Sequence, residues 1–271
     1  MLHHDSDSDK THADYGKQGT PPKAAERVGT FSSLRFRNFR YLLSGTVLSQ
    51  AGGWIQSVTV SWLVYDLTGS GTLLGTINVL SAISSLSTIP VAGLLIDRMN
   101  RRNLMLLVNA WLFMITLGMG IVLLSGHSHA SYLFIFAFLA GLTQTIDTSL
   151  RQVMVFDLVP RVHTPNAVAL IQTGWSLMRS FGPAIGGFLI LWFGPGGNFL
   201  CQAGAYALIA ITILQIRFPA STIDTVRTSP MKNIREGLQY VARERVTRTF
   251  MIMGFIPSFF IVPILTVIIP I

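Results

Sequence analysis

Seven apolar runs, each about as long as a bilayer core is thick, constrain this chain more than any other feature. They cover about 41–64, 73–96, 104–125, 132–155, 167–191, 198–216 and 249–271. At 1.5 Å per residue, roughly 20 helical residues cross a hydrocarbon core of about 30 Å. No water at that depth can take up stray N–H and C=O groups, so only helices or closed barrels span it. These runs are continuously apolar rather than alternating, and they predict helices. The fourth is the least apolar, because it contains Asp147 and Arg151.

Basic residues mark alternate ends of the runs. Arg27, Arg35, Arg37 and Arg40 precede the first, and Arg98, Arg101 and Arg102 separate the second from the third. Arg151 and Arg161 lie near the fourth-to-fifth connection. Arg217, Arg227, Lys232, Arg235, Arg243, Arg245 and Arg248 follow the sixth. The connections at 65–72, 126–131 and 192–197 hold no Lys or Arg. Cytoplasmic loops carry the Lys/Arg excess. The pattern predicts a multi-pass protein of the cell inner (plasma) membrane, N-terminus in the cytoplasm, with the lipid bilayer as its first partner. Composition agrees: 50% of residues are hydrophobic and 12% charged, against about 25% charged in a soluble domain. The net charge of +8 sits at helix ends and forms no basic stripe interleaved with aromatics, so no nucleic-acid partner is expected.

Residues 1–30 are polar and predict a disordered cytoplasmic tail. The 218–248 segment is a cytoplasmic linker. Within it Ile234, Leu238, Tyr240 and Val241 stand among basic residues, which suits an amphipathic helix on anionic lipid or a solvated linker with a helical turn or two. The run 249–271 predicts a seventh transmembrane helix. It reaches Ile271 without the Trp, Tyr, Lys or Arg that anchors a span, so a truncated protein is expected. Cys201 is the single cysteine, which excludes an internal disulfide framework or thiolate metal site. His127 and His129 read as a solvated loop pair, and no metal site is expected. No Gly-x-x-x-x-Gly-Lys-Ser/Thr loop occurs, which argues against ATP driving the chain directly, and no cofactor is expected. A membrane enzyme needs a His/Asp/Glu cluster at one membrane face; none is visible, and the chain reads as not an enzyme.

Charges inside the spans point to a site. Asp147 lies about ten residues from the inner end of its run and Arg179 about twelve into the next, a similar depth of roughly 15–18 Å. Intramembrane charges are costly unless paired or wet, and by default mark function. Asp147, Arg151 and Arg179 are predicted to form a cluster facing a cavity, carrying protons or contacting a charged substrate. Asp147 and Arg151 are also spaced i, i+4 and can pair with each other, and a structural ion pair locking the fourth and fifth helices fits equally. Helical spacing puts Ser49, Gly52, Gln56 and Val60 on one face, Gln144 with Asp147 and Arg151, and Gln172 and Trp175 with Arg179. Amides and an indole suit an amphipathic, aromatic substrate, or serve as interhelical glue. Asn78 and Asn109 belong to the same class.

The most specific local pattern is Gly93-Leu-Leu-Ile-Asp97-Arg98-Met-Asn-Arg101-Arg102 at the inner end of the second run. Glycine permits close helix approach, and one acid with three arginines can hold two helices together or release them. This resembles the loop signature of the major facilitator superfamily, Gly-x-x-x-Asp-Arg-x-Gly-Arg-Arg. Asn100 stands where the family usually has Gly, and Asn too tolerates the left-handed conformation. Asp147-Thr-Ser-Leu-Arg151-Gln-Val-Met-Val-Phe-Asp157-Leu-Val-Pro160, then Pro165-Asn166-Ala-Val-Ala-Leu170, resembles the exporter branch that includes bacterial enterobactin exporters. Gly182-Pro183-x-x-Gly186-Gly187 is similar to the end of the fifth-helix motif associated with antiporters, with Met178 where that motif has an upstream Gly.

The resemblance covers about 31–271. It implies an all-α polytopic membrane protein: a six-helix N-terminal bundle of 3+3 inverted repeats over 31–217, plus the seventh helix. It implies a secondary active transporter, with proton-coupled efflux of small amphipathic molecules or a siderophore by alternating access. Protons and a small-molecule substrate are then the further partners. Asp97, Arg98, Arg101 or Arg102, and Asp157 would form a gate that stabilises the outward-open state. A truncated, non-transporting structural or regulatory membrane protein is the alternative.

Overall fold

The computed structural model describes residues 29–126, 128–216, 244 and 246–253. Most of the expected tail, of the 218–248 linker and of the seventh run lie outside the described residues, as does His127; residues 246–253 are helical. A 3-10 turn at Ser32–Arg35 precedes five helices: α1 (Arg37–Thr68), α2 (Gly71–Arg98), α3 (Arg101–Leu124), α4 (Ala130–Leu158) and α5 (Thr164–Gln215).

Among the described residues, these five helices make six passes. The 52 residues of α5 would run about 78 Å if straight, far more than one crossing requires. Gly194, at φ 67 and ψ 175, breaks the helix ahead of Pro195. Past the break the Asn198 side-chain amide reaches the Gly186 carbonyl at 3.4 Å, although twelve residues of straight helix would separate them by about 18 Å. So α5 is a hairpin with a first limb at 164–193 and a second at 195–215. Among the described residues, four segments are long and apolar enough to cross a membrane: α2, α3, α4 and the run containing α5. With 32 residues α1 has the length, but Ser49, Gln56 and Thr59 dilute its apolar character.

Local chemistry sets the ends. Gly69, left-handed at φ 62, stops α1 and donates its N–H to the Tyr65 carbonyl. Ser70 then caps α2 by accepting from Leu73 N–H. Asn100 does not use its left-handed tolerance: at φ −60 and ψ 119 it is extended and caps α3, accepting the Arg102 N–H at 3.0 Å. The residue that departs from the loop signature is therefore an N-cap.

Packing pairs α1 with the first limb of α5, running parallel, and α2 with α4, also parallel. Gly174, Gly182 and Gly186 meet Val47, Trp54 and Ile55 in register, while Gly141 meets Ser81 and Ser84. The Ser84 hydroxyl donates to the Phe138 carbonyl at 2.7 Å. Exchanging α1–α3 for α4 and the two limbs maps the first contact onto the second, as 3+3 inverted repeats require. The Arg35, Arg37, Arg40, Arg98, Arg101, Arg102 and Arg161 ends gather on one side: Ser33 bonds His163, and Arg102 reaches the last turn of α5. Glycine turns form the other side, around Gly69, Gly126 and Gly194. Two apolar clusters fill the interior, one around Leu104, Leu150 and Ile209 and one around Val64, Leu133 and Phe199. Leu86, Leu191 and Trp192 are among the large apolar side chains left on the outside, as a lipid-facing surface requires.

Candidate functional site

A closed polar knot lies at the depth where α1, α3 and α4 meet. The Asp147 carboxylate accepts from the Arg151 Nε at 2.7 Å and the Ser49 hydroxyl at 2.8 Å, both on Oδ2, and from the Asn109 amide at 3.1 Å on Oδ1. Arg151 Nη2 donates back to Asn109 Oδ1 at 3.3 Å. Both charged side chains are 1% exposed. Bonding of this density is what lets an ion pair persist without water. Helical spacing supplies it: one turn separates acid from base on α4, and Ser49 and Asn109 enter from the two neighbouring helices. Gly45 provides the space, since a Cβ there would lie 3.3 Å from Arg151 Nη1.

Arg179 does not join this knot. It is exposed on the first limb of α5, as is Gln172, while Trp175 is half-buried against the core. Equal depth and adjacent helices suggested contact, but α1 packs on both α4 and the first limb and stands between them. The predicted cluster is thus two features: a buried pair, and a polar stripe of Gln172, Ser176 and Arg179 on an open helix face. Asn78 is exposed and Asn109 is central to the pair. Gln56 and Gln144 do reach the interior, as acceptors from Gln202 at 3.0 Å and from the Tyr206 hydroxyl at 3.5 Å. Asn198, Gln202 and Tyr206 are absent from the sequence reading, although their i, i+4, i+8 spacing in the sixth run was a visible signal.

At the basic end, Arg101 pairs with Asp157, joining the start of α3 to the end of α4, with the side chains 33% and 29% exposed. Arg102 donates to the Leu214 carbonyl at 2.9 Å, tying the same turn to the end of α5. Asp97 and Arg98 are exposed and form no ion pair among the described residues. A second tie was not foreseen. The Asn166 side chain accepts the Ser33 N–H at 3.1 Å and donates to the Thr30 carbonyl, and the Ser33 hydroxyl donates to the His163 carbonyl at 3.0 Å.

A sequence-family profile described as transmembrane secretion effector matches residues 28–271, nearly the whole chain. The chain belongs to that family of major facilitator proteins. It is similar to the staphyloferrin A transporter of Staphylococcus aureus, 27% identical over 198 residues, which is 72% of this chain and 50% of that protein. It is similar to the uncharacterized MFS-type transporter YfiS of Bacillus subtilis, 27% identical over 215 residues, 74% of this chain and 48% of the other. It is also similar to the multidrug efflux pump Tap of Mycobacterium tuberculosis, 26% identical over 248 residues, 84% and 57% respectively. The chain spans about half the length of the curated relatives it matches.

The glycines of the two facilitator-like motifs separate by environment. Gly182 and Gly186 lie against α1, where an added Cβ would stand 2.5 Å from the Trp54 Cβ and 3.2 Å from the Ile55 Cα. Pro183 and Gly187 are half-buried, and Gly187 has open space around it. Close helix approach was also the reason offered for Gly93, and here the structure corrects it. Gly93 is exposed, and nothing lies within 4 Å of its Cβ position.

Proposed function

We propose that the protein is a secondary active transporter that exports small amphipathic molecules or a siderophore, coupled to protons, by alternating access. One observation carries this reading: a carboxylate and a guanidinium, each 1% exposed, paired within membrane-spanning helices. Such a pair holds a mobile charge in reserve. A proton arriving on Asp147 cancels the carboxylate that holds Arg151. The guanidinium, whose Nη1 has no partner among the described residues, then turns to other acceptors, and the contacts among α1, α3 and α4 change with it. Asp147, Arg151 and Gln144 form the proton pathway. Gln56, Gln172, Trp175 and Arg179 meet substrate, with Arg179 selecting charge on an open face. Relatives named as a staphyloferrin A transporter and a multidrug efflux pump favour a small-molecule cargo.

The gate is the basic end. Arg101–Asp157 and Arg102–Leu214 brace it, while Asp97 and Arg98 remain free to engage a partner element when that end closes. The arginine-rich end faces the cytoplasm of a bacterial inner membrane. Trp62, Tyr65 and Trp192, exposed near the opposite end, sit at the outer interface as anchors. Residues 31–217 act as one transport half, and 249–271 begin its counterpart.

Export of labelled amphipathic compounds from cells making the protein, with and without a protonophore, tests the proposal. Protonophore-sensitive export that disappears in Asp147→Asn, at equal membrane abundance, is expected. Undiminished export in that variant would overturn proton coupling through Asp147.

A further inference from the structure

Polar groups follow one another along the seam where α1, α4 and the second limb of α5 meet, from the arginine-free end to the Asp147–Arg151 pair. The second limb contributes Asn198, Gln202 and Tyr206, one turn apart and each no more than 1% exposed. The Asn198 amide donates to the Thr59 hydroxyl oxygen and the Gly186 carbonyl. The Gln202 amide donates to the Gly52 carbonyl at 2.8 Å and to Gln56 Oε1 at 3.0 Å. Over Gly52, Gln202 Nε2 and the Tyr206 hydroxyl lie 3.7 and 3.8 Å from where a Cβ would stand. The Tyr206 hydroxyl continues to Gln144, one turn before Asp147.

These bonds leave the seam unsatisfied. Asn198 Oδ1, Gln202 Oε1 and Arg151 Nη1 are all buried without a partner among the described residues. Polar glue between helices gains only when its groups are paired, and an unmet buried acceptor loses more than a made bond gains. Open acceptors and donors at successive depths on one seam are the groups that buried water bridges.

We propose that this seam binds a file of water molecules that gives Asp147 a proton route from the arginine-free end, separate from the open face bearing Gln172 and Arg179. The route, though not the water site, rests on the proposed role of Asp147 as a proton acceptor. The step balances simply: a proton passes from water to water and ends on a carboxylate oxygen, giving the neutral acid, while Arg151 keeps its own proton and charge. Among the described residues, the charged or titratable groups facing Asp147 are Arg151 on its own helix and Tyr206 on the second limb. Ser49 of α1 and Asn109 of α3 are neutral.

Radiolytic hydroxyl-radical labelling of the purified chain in lipid nanodiscs tests the water site, because a residue buried like Tyr206 is labelled only by radicals born from water in place. Labelled Tyr206 is expected, falling about tenfold in Asn198→Leu and Gln202→Leu. Asn198→Ser and Gln202→Asn, which stay polar and enlarge the space, should keep it. Unlabelled Tyr206 in the unmodified chain, or equal loss in the polar and apolar variants, would overturn the site. Infrared spectra in D2O, with the Asp147 acid band assigned through Asp147→Asn, test the route. Exchange of that band should slow about tenfold in the two Leu variants, and unchanged exchange would overturn the route. A labelled seam with no Asp147 acid band at any pH would remove the proton-acceptor reading and the route together, and leave the water site standing.

Discussion

Two ion pairs of the same chemistry have their acids, Asp147 and Asp157, nearly three turns of α4 apart in depth, and they differ in almost everything else. Asp147–Arg151 is closed off at 1% exposure and tied to α1 and α3 by neutral hydrogen bonds. Arg101–Asp157 is about one-third exposed and joins two helix ends. Burial removes bulk water as the alternative partner, so the inner pair cannot part freely without leaving a poorly solvated charge in a low-dielectric interior. The outer pair can part into water at little loss, which suits a latch that must open. The inner pair is a store of charge, and the outer one a fastening.

Removing one member of each pair breaks this comparison most directly. Asp147→Ala leaves Arg151 buried and unpaired, and should destabilise the helix bundle by about 3–5 kcal/mol, read from unfolding in detergent. Combining Asp147→Leu with Arg151→Met should recover most of that loss, since apolar residues of similar volume replace a buried pair without penalty. Arg101→Ala should lower stability by no more than about 1 kcal/mol. If it proved the more damaging substitution, the assignment of the two roles would be reversed.

The glycines sharpen the same contrast. Gly45→Ala pushes a methyl to 3.3 Å from Arg151 Nη1, and should lose about 1–3 kcal/mol by crowding a guanidinium that its Nε and Nη2 bonds hold in place. Gly93→Ala, beside the outer charges, meets nothing within 4 Å. It should be neutral or gain about 0.5–1 kcal/mol from helix propensity. Equal destabilisation by the two would show that the space at Gly45 is not what accommodates the buried pair.

Much of this architecture was legible in the sequence because lipid enforces it. Span length, continuous hydropathy and the alternation of arginine-bearing ends follow from the bilayer, and the six described crossings fall where the first six runs stand. The Asp147–Arg151 contact was legible because i, i+4 spacing needs no tertiary knowledge. Contacts between helices were not. Depth placed Arg179 level with Asp147, but depth says nothing of which helix stands between two others, and α1 fills that position. Asn198, Gln202 and Tyr206 share a face of the second limb, yet in a largely apolar run they look like isolated tolerated polar residues until Gln56 and Gln144 are seen opposite. Asn100 shows the limit in another way. Its identity was visible, but whether it served a left-handed turn or a cap depended on the sign of φ at one residue.

Salt gives the smallest effect, and separates the pairs without altering either helix packing or volume. Raising ionic strength from about 0.1 M to 1 M shortens the Debye length from about 10 Å to 3 Å. Water and ions reach Arg101 and Asp157, so their coupling, measured by a double-mutant cycle of Arg101→Ala with Asp157→Ala, should shrink by a few tenths of a kcal/mol. The corresponding cycle on Asp147 and Arg151 should keep its value, because bulk salt does not reach a pair that is 1% exposed and bonded to Ser49 and Asn109. Loss of coupling at both sites would mean that solvent reaches the inner pair freely through the seam of Asn198 and Gln202, making it as soluble a contact as the outer one.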